Sequence, residues 1–152
     1  MRTTEGISFI TGSNGHIGTA VMERMRERFT TVVGFYLKAT SPPPPNCKRI
    51  PVDVTSDQSV QDGLRTLREH HGSRITTVVH LAAYYDFLGK SSPKYEQITV
   101  EGTRRLLRGL KENFEVEQFI FSSTMLVHQP GEPGQYITEN SPLGPTWAYP
   151  ES

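Results

Sequence analysis

Apolar residues along this chain fall into short runs, separated by stretches where they recur every three or four positions. The first run, Ile7 to Thr11, is β-branched and aromatic and reads as a strand. Ile17, Val21 and Met25 then recur at helical spacing, so a strand turns into a helix between them. The alternation continues. Thr31 to Phe35, Arg49 to Val54, Thr76 to Leu81 and Phe119 to Ser122 read as further strands. Val60, Leu64 and Leu67 mark one helix, with Asp57 near its start, and Val100, Thr103, Leu107 and Leu110 lie on one face of another. Pro42 to Pro45 are consecutive, which excludes helix and central strand and predicts a surface connection. Residues Thr124 to Ser152 are rich in proline and glycine and read as loop.

Strands that alternate with helices and read as continuous apolar runs predict a parallel sheet covered on both faces, an α/β doubly wound fold. The 152 residues suit one domain. Sixteen basic and 16 acidic side chains balance to zero, which argues against nucleic acid or an anionic membrane as partner. A single cysteine, Cys47, allows no internal disulfide and fits a reducing compartment. No apolar run approaches the ~20 residues of a membrane span, and the N-terminus enters a strand without a signal pattern. A cytoplasmic protein is expected. No His, Cys or carboxylate cluster has metal-ligand spacing, so no metal is expected. His70 and His71 fall at a helix end, where a cation is favourable, and Arg104, Arg105 and Arg108 read as a solvated helix face.

Thr11 to Gly18 reads T-G-S-N-G-H-I-G and joins the first strand to the first helix. In such a turn one glycine permits the bend, one admits a pyrophosphate to the backbone, and one lets helix and strand pack closely. The helix N-terminus adds free N–H groups and a positive dipole. Gly12, Ser13, Asn14, Gly15, His16, Ile17 and Gly18 are therefore candidate dinucleotide-binding residues. Ser13 and Asn14 read equally as phosphate contacts or as turn formers. No lysine followed by Ser or Thr closes the motif, which disfavours a nucleoside triphosphate loop. A dinucleotide site usually places an acid at the end of the second strand, about 20 residues on, for the ribose 2′-hydroxyl. Tyr36 stands there, with Lys38 close by. A 2′-phosphate would meet no repulsion and Lys38 would attract it; equally, Tyr36 packs and Lys38 is solvated. The expected cofactor is NAD or NADP.

With these motifs in order, the chain resembles the extended short-chain dehydrogenase/reductase family, which includes nucleotide-sugar epimerases, dehydratases and hydroxysteroid dehydrogenases. The T-G-x-x-G-x-x-G spacing matches the extended variant. Asp53-Val54 resembles the adenine-contacting pair after strand three, and His80-Leu81-Ala82-Ala83 the segment lining the cofactor after strand four. Gly102-Thr103 lies in the family's helix motif. Phe121-Ser122-Ser123-Thr124 resembles the strand end carrying the catalytic Ser or Thr, and Tyr149 the tyrosine of Y-x-x-x-K. The resemblance covers essentially all 152 residues. It implies a Rossmann-type doubly wound parallel sheet that binds NAD(P), truncated before the substrate domain. The whole of 1–152 is then the cofactor-binding domain, with Thr124 and Tyr149 catalytic and Asp53, Val54, Leu81, Ala82 and Ala83 against the cofactor. Asp53 also reads as a turn cap before Thr55. Ser123 competes with Thr124, and Tyr149 reads also as a loop aromatic beside Trp147. Tyr84, Tyr85 and Asp86 face either substrate or solvent.

The implied reaction is hydride transfer at a carbinol or carbonyl carbon of a small-molecule substrate, as in an oxidoreductase, epimerase or dehydratase. A dinucleotide-sensing module of the same fold is the alternative, since fold alone does not fix function. Three departures from the family pattern stand out. The chain stops before the position of the family's lysine, so the 152 residues are expected to bind a dinucleotide weakly without turnover, and the helix that should carry Tyr149 is expected to be missing. Thr99 stands where the family often has Asn. His128 stands where many nucleotide-sugar members carry tyrosine, while Ala82 to Gly89, A-A-x-x-D-x-x-G, resembles hydroxysteroid or dihydroflavonol-type members. Members often dimerise through two helices, which makes a homodimer an expectation.

Overall fold

The apolar run at the N-terminus forms β1 (Thr4–Thr11), whose last five residues are all buried. Burial on both faces requires neighbours on both edges and cover on both sides, and the rest of the chain supplies them. The computed structural model describes residues 4–38, 41–86 and 88–152. The further strands are β2 (Phe29–Tyr36), β3 (Cys47–Pro51), β4 (Arg74–His80) and β5 (Glu115–Phe121). They form one five-stranded sheet of order β3-β2-β1-β4-β5, with every neighbouring pair parallel. The helices are α1 (His16–Met25), α2 (Asp57–His71), α3 (Glu101–Asn113) and a short α4 (Ala148–Glu151). A π-helical turn, Tyr95–Val100, leads into α3. The chain has the Rossmann-type doubly wound architecture, with the crossover between β1 and β4 at the centre of the sheet.

Two apolar layers hold the sheet. On one side Phe9, Val33, Phe35, Val60, Leu64, Leu67, Ile75, Val78, Leu106 and Leu110 pack into a single cluster under α2 and α3. Phe9 and Phe35 meet edge to face at 4.6 Å. Leu67 and Leu106 are fully buried, so the apolar stripes of both helices face the sheet. On the other side Ile10, Met22, Val32, Cys47 and Val79 pack with α1. Burial pushes the Cys47 thiol up.

α2 starts where Ser56 accepts a hydrogen bond from the Ser59 amide, and it stops at Gly72, whose φ of 89° lies in the left-handed region. His70 and His71 occupy its last turn, where a cation would be favourable. The arginines of α3 are not simply solvated. Arg105 and Arg108 both reach Asp57 at the start of α2, and Arg104 pairs with Glu101. Hydrogen bonds from Arg105 and Arg108 hold the Asp57 carboxyl below the usual carboxylate range.

Several element boundaries differ from the sequence reading. β2 starts at Phe29 and includes Tyr36. β3 ends at Pro51, so Val52 to Val54 leave the sheet. β5 starts at Glu115, because it is an edge strand and its exposed Glu117 and Gln118 interrupt the apolar pattern. Val100 belongs to the π-helical turn. The segment read as loop holds a 3-10 turn, Met125–Val127, an antiparallel bridge between His128 and Leu143, and α4. The expectation that no helix carries Tyr149 is thus corrected: α4 is its first turn, with Pro150 tolerated in a helix's opening residues.

Candidate cofactor and active site

β1 delivers Thr11 to the C-terminal edge of the sheet, and the chain must reverse at once to start α1. Gly12 makes that bend at φ +67°, and the Gly15 amide donates to the Gly12 carbonyl at 3.0 Å. A Cβ on Gly12 would lie 2.9 Å from the Leu81 backbone, and one on Gly18 would lie 2.2 Å from the Gly12 carbonyl oxygen. Both glycines are therefore required by close backbone approach. α1 begins at His16, so the amides of His16, Ile17 and Gly18 have no helical carbonyl to bond, and the His16 and Ile17 side chains are exposed.

Ser13 and Asn14 brace this turn. Ser13 is fully buried, and both its amide and its hydroxyl donate to the Phe35 carbonyl, at 3.0 and 2.9 Å. That is the turn-forming use of the side chain. Asn14 donates to the Lys38 carbonyl at 2.5 Å and accepts from Arg49 at 2.8 Å. Arg49 also donates to the Ser13 carbonyl at 2.9 Å and to Thr19 Oγ1 at 3.3 Å. Nothing in the sequence marked Arg49, which read as an ordinary strand position.

One side of the turn opens on a cleft of about 400 Å³ between the ends of β2 and β3. Tyr36, Leu37, Asp53, Val54, Ala82 and Ala83 line it. The Asp53 carboxylate accepts from the Thr55 amide at 2.9 Å and hydroxyl at 2.7 Å, so it caps a turn and faces the cleft at once. Lys38 is exposed.

Behind the glycines lies a buried histidine. Thr11 Oγ1 accepts from the Leu81 and Ala82 amides, both at 3.1 Å. A hydroxyl with two acceptor contacts has one proton left to give. It donates that proton to His80 Nδ1 at 2.6 Å, so the ring's own proton sits on Nε2 and donates to Thr103 Oγ1 at 2.8 Å. Phe119 and Phe121 flank the ring, each centroid 6.0 Å away. Burial pushes the His80 pKa down to about 4, so the imidazole is neutral near pH 7. The network ties Leu81 and Ala82 to β1 and to α3.

The other side of the turn opens on a cleft of about 580 Å³. Gly12, Gly15 to Gly18, His80 to Ala83, Ser122 to Thr124 and Tyr149 all line it, so these cofactor candidates and both catalytic candidates share one cavity, whereas Tyr36, Asp53 and Val54 line the other cleft and Ser13, Asn14 and Lys38 line neither. Thr124 Oγ1 accepts from the Leu126 amide at 3.3 Å, which fixes the rotamer at the strand end. Tyr149 packs its ring against Tyr85 at 4.6 Å and Trp147 at 5.5 Å. Of the segment Tyr84 to Asp86, Tyr85 lines this cavity; Tyr84 packs on Tyr95 at 4.9 Å, and the Asp86 amide donates to the Tyr95 hydroxyl at 3.3 Å. A separate groove of about 440 Å³ between α2 and α3, lined by Arg65, Arg68, Arg105 and Arg108, holds none of these groups. Among the described residues no group of three metal-ligating side chains forms, and no helix is long and apolar enough to cross a membrane.

The model of the NAD dependent epimerase/dehydratase family matches residues 8–152. The chain belongs to the NAD dependent epimerase/dehydratase family. No curated protein matches it. Among solved structures, a short-chain dehydrogenase/reductase superfamily protein from Agrobacterium tumefaciens with bound NAD is 25% identical at a TM-score of 0.70. The match covers 95% of this chain and 41% of that one. The Bordetella bronchiseptica enzyme WbmG in complex with NAD gives 21% identity and a TM-score of 0.79, over 99% of this chain and 47% of that one. Uronate dehydrogenase from Agrobacterium tumefaciens gives 16% and 0.78, over 97% and 51%. The chain thus spans about half the length of these structures.

Within this NAD dependent family, the two substituted positions have structural occupations of their own. Buried Thr99 accepts a hydrogen bond from the Tyr84 amide at 3.0 Å, which orders the segment leading to Tyr85. His128 Nδ1 donates to the Ser141 carbonyl at 3.1 Å and helps close the loop that follows Thr124.

Proposed function

We propose that these 152 residues are the dinucleotide-binding half of an enzyme that uses NAD or NADP to transfer hydride at a carbinol or carbonyl carbon. The observation that carries the reading is the single cleft that joins the glycine turn to Thr124 and Tyr149. The cradle fits the group: Gly12 and Gly18 let the turn's backbone pack too closely for any Cβ, and α1 begins there with amides that have no helical carbonyl to bond. When bound, the nicotinamide supplies or accepts the hydride.

The chain's own residues have distinct tasks in this reading. Gly12 to Gly18 bind the pyrophosphate through backbone amides. Tyr36, Lys38, Asp53 and Val54 surround the adenosine. Leu81, Ala82 and Ala83 form the wall that positions the nicotinamide end, held by Thr11 and His80. Tyr149 gives a proton to, or takes one from, the substrate oxygen, and Thr124 hydrogen-bonds the same oxygen. A free phenol with a pKa near 10 is a poor base at pH 7, so Tyr149 needs a nearby cation to do this work. The family resemblance supplies one as a lysine one helical turn later. Dehydrogenase, epimerase and dehydratase chemistry all start from such a site. The same reading includes a cytoplasmic homodimer acting on a small-molecule substrate.

Calorimetry of the purified protein with NAD, NADH, NADP and NADPH tests the proposal. Binding of at least one of them is the expected result. Binding of none leaves an inert scaffold whose glycines are only structural.

A further inference from the structure

The cleft that holds Tyr149 has an aromatic wall that hydride transfer itself does not require. Tyr85 lines it and is 45% exposed. An exposed aromatic ring is ordinary on a loose loop, but the backbone on both sides of this one is tied down. The Tyr84 amide donates to buried Thr99 at 3.0 Å, and the Asp86 amide donates to the hydroxyl of buried Tyr95 at 3.3 Å. Asp86 also closes the next turn by accepting from the Leu88 amide at 2.9 Å. The Tyr85 ring meets the Tyr149 ring edge to face at 4.6 Å and 74°, and Trp147 packs on Tyr149 at 5.5 Å. The ring is thus held beside the proposed acid/base with almost half its surface open.

The charges along the same cleft narrow what lies on that ring. Among the described residues no lysine or arginine lines it, and its one carboxylate is Glu151. His16 stands at the glycine turn, the place of the pyrophosphate. A carboxylate or phosphate on the substrate would meet no side-chain cation near Tyr149 on this side of it, and burying it there would be costly. The polar side chains Ser122, Ser123 and Thr124 gather at the end of β5, whereas Tyr85 and Pro150 bring apolar surface against Tyr149. Such a division suits a molecule with an oxygen at one end and a flat apolar group next to it. We propose that Tyr85 is a specificity-determining residue, the platform on which an uncharged aryl carbinol or aryl ketone lies with its oxygen toward Thr124 and Tyr149. The inference rests on the hydride-transfer reading above. Ring-on-ring packing adds to the gain from burying the open surface of Tyr85.

Saturation-transfer NMR titrations of the purified protein with NAD present test this, with 1-(2-naphthyl)ethanol as the aryl probe. 2-Butanol, glucose and glucuronate serve as carbinols that lack the ring or carry a charge. The naphthyl carbinol should bind about tenfold tighter than any of the three, and signal transfer should be strongest at its ring protons. Tyr85→Ala should weaken it by about three- to tenfold, and Tyr85→Phe should restore the wild-type affinity. If Tyr85→Ala does not fold in a thermal melt, Tyr85→Leu, apolar but not flat, carries the same comparison. Equal or tighter binding of 2-butanol, glucose or glucuronate overturns the platform. So does a Tyr85→Ala variant that binds the naphthyl carbinol as wild type does, or one that loses affinity for NADH by the same factor, since the ring would then serve the nicotinamide. All of these leave the dinucleotide site standing, whereas failure of NAD and NADP to bind overturns the reading beneath it.

Discussion

Neutral, buried His80 makes the stability of the fold depend on pH. Burial pushes its folded pKa from the ordinary 6.5 down to about 4. Between those values the unfolded chain binds a proton that the folded chain refuses, so stability falls as pH drops from about 6.5 to about 4. The full loss is about 3 kcal/mol, at roughly 1.4 kcal/mol per pKa unit. Between pH 7 and pH 5 the linkage integral gives about 1.8 kcal/mol. Protonation would also place a donor on Nδ1 against Thr11 Oγ1, whose lone pairs already serve Leu81 and Ala82. Urea unfolding followed by circular dichroism at pH 7 and pH 5 measures the loss. His80→Asn keeps a polar group in place without the titration, so its loss over the same interval should be smaller by about 1.8 kcal/mol. The histidine ring signals in a proton NMR titration should show one imidazole still neutral at pH 5. Equal pH slopes in wild type and variant, or an imidazole that titrates near 6.5, would refute the reasoning.

Removing the acceptor on the other side of the ring, with Thr103→Val, should cost about 1–3 kcal/mol for a buried donor left unpaired, and Thr103→Ser should restore most of it in thermal melts. Gly18→Ala brings a methyl against the Gly12 carbonyl, so destabilisation of about 1–3 kcal/mol and a large loss of dinucleotide affinity are expected in the same calorimetric titration. In an enzyme that joins this half to a substrate domain, Tyr149→Phe should lower turnover by about a hundred- to ten-thousandfold in a panel of carbinol oxidations followed by nicotinamide absorbance; undiminished turnover would remove Tyr149 from the proposed chemistry.

The sequence made most of the sheet and the glycine turn legible because their signals are local. A glycine that must bend the chain beside a buried strand leaves its mark within eight positions, as Thr11 to Gly18 does. β5 was readable only at its apolar end, since an edge strand with Glu115, Glu117 and Gln118 exposed carries no continuous apolar run. α4 was hidden because a proline marks loops as often as helix starts. The buried imidazole could not have been foreseen. His80 joins Thr11, 69 residues earlier, to Thr103, 23 residues later, and neither separation has a sequence period. Arg49 was lost for the same reason, being 35 residues from the Asn14 it holds.

These two unforeseen residues divide the site. Everything behind the glycine turn is neutral: hydroxyls of Thr11 and Thr103, an uncharged His80, and backbone amides of Leu81 and Ala82. Neutral groups in fixed hydrogen bonds keep their geometry as pH varies above the folded His80 pKa of about 4, so this wall holds a ring in place without discriminating between charged ligands. Charged side chains stand away from this wall: Asp53 lines the cleft between the ends of β2 and β3, Glu151 lines the cleft shared with Tyr149, and Arg49 braces the glycine turn. A substitution in the Thr11–His80–Thr103 chain therefore changes how firmly the wall stands for any dinucleotide, while one at Arg49 loosens the glycine turn from its other side.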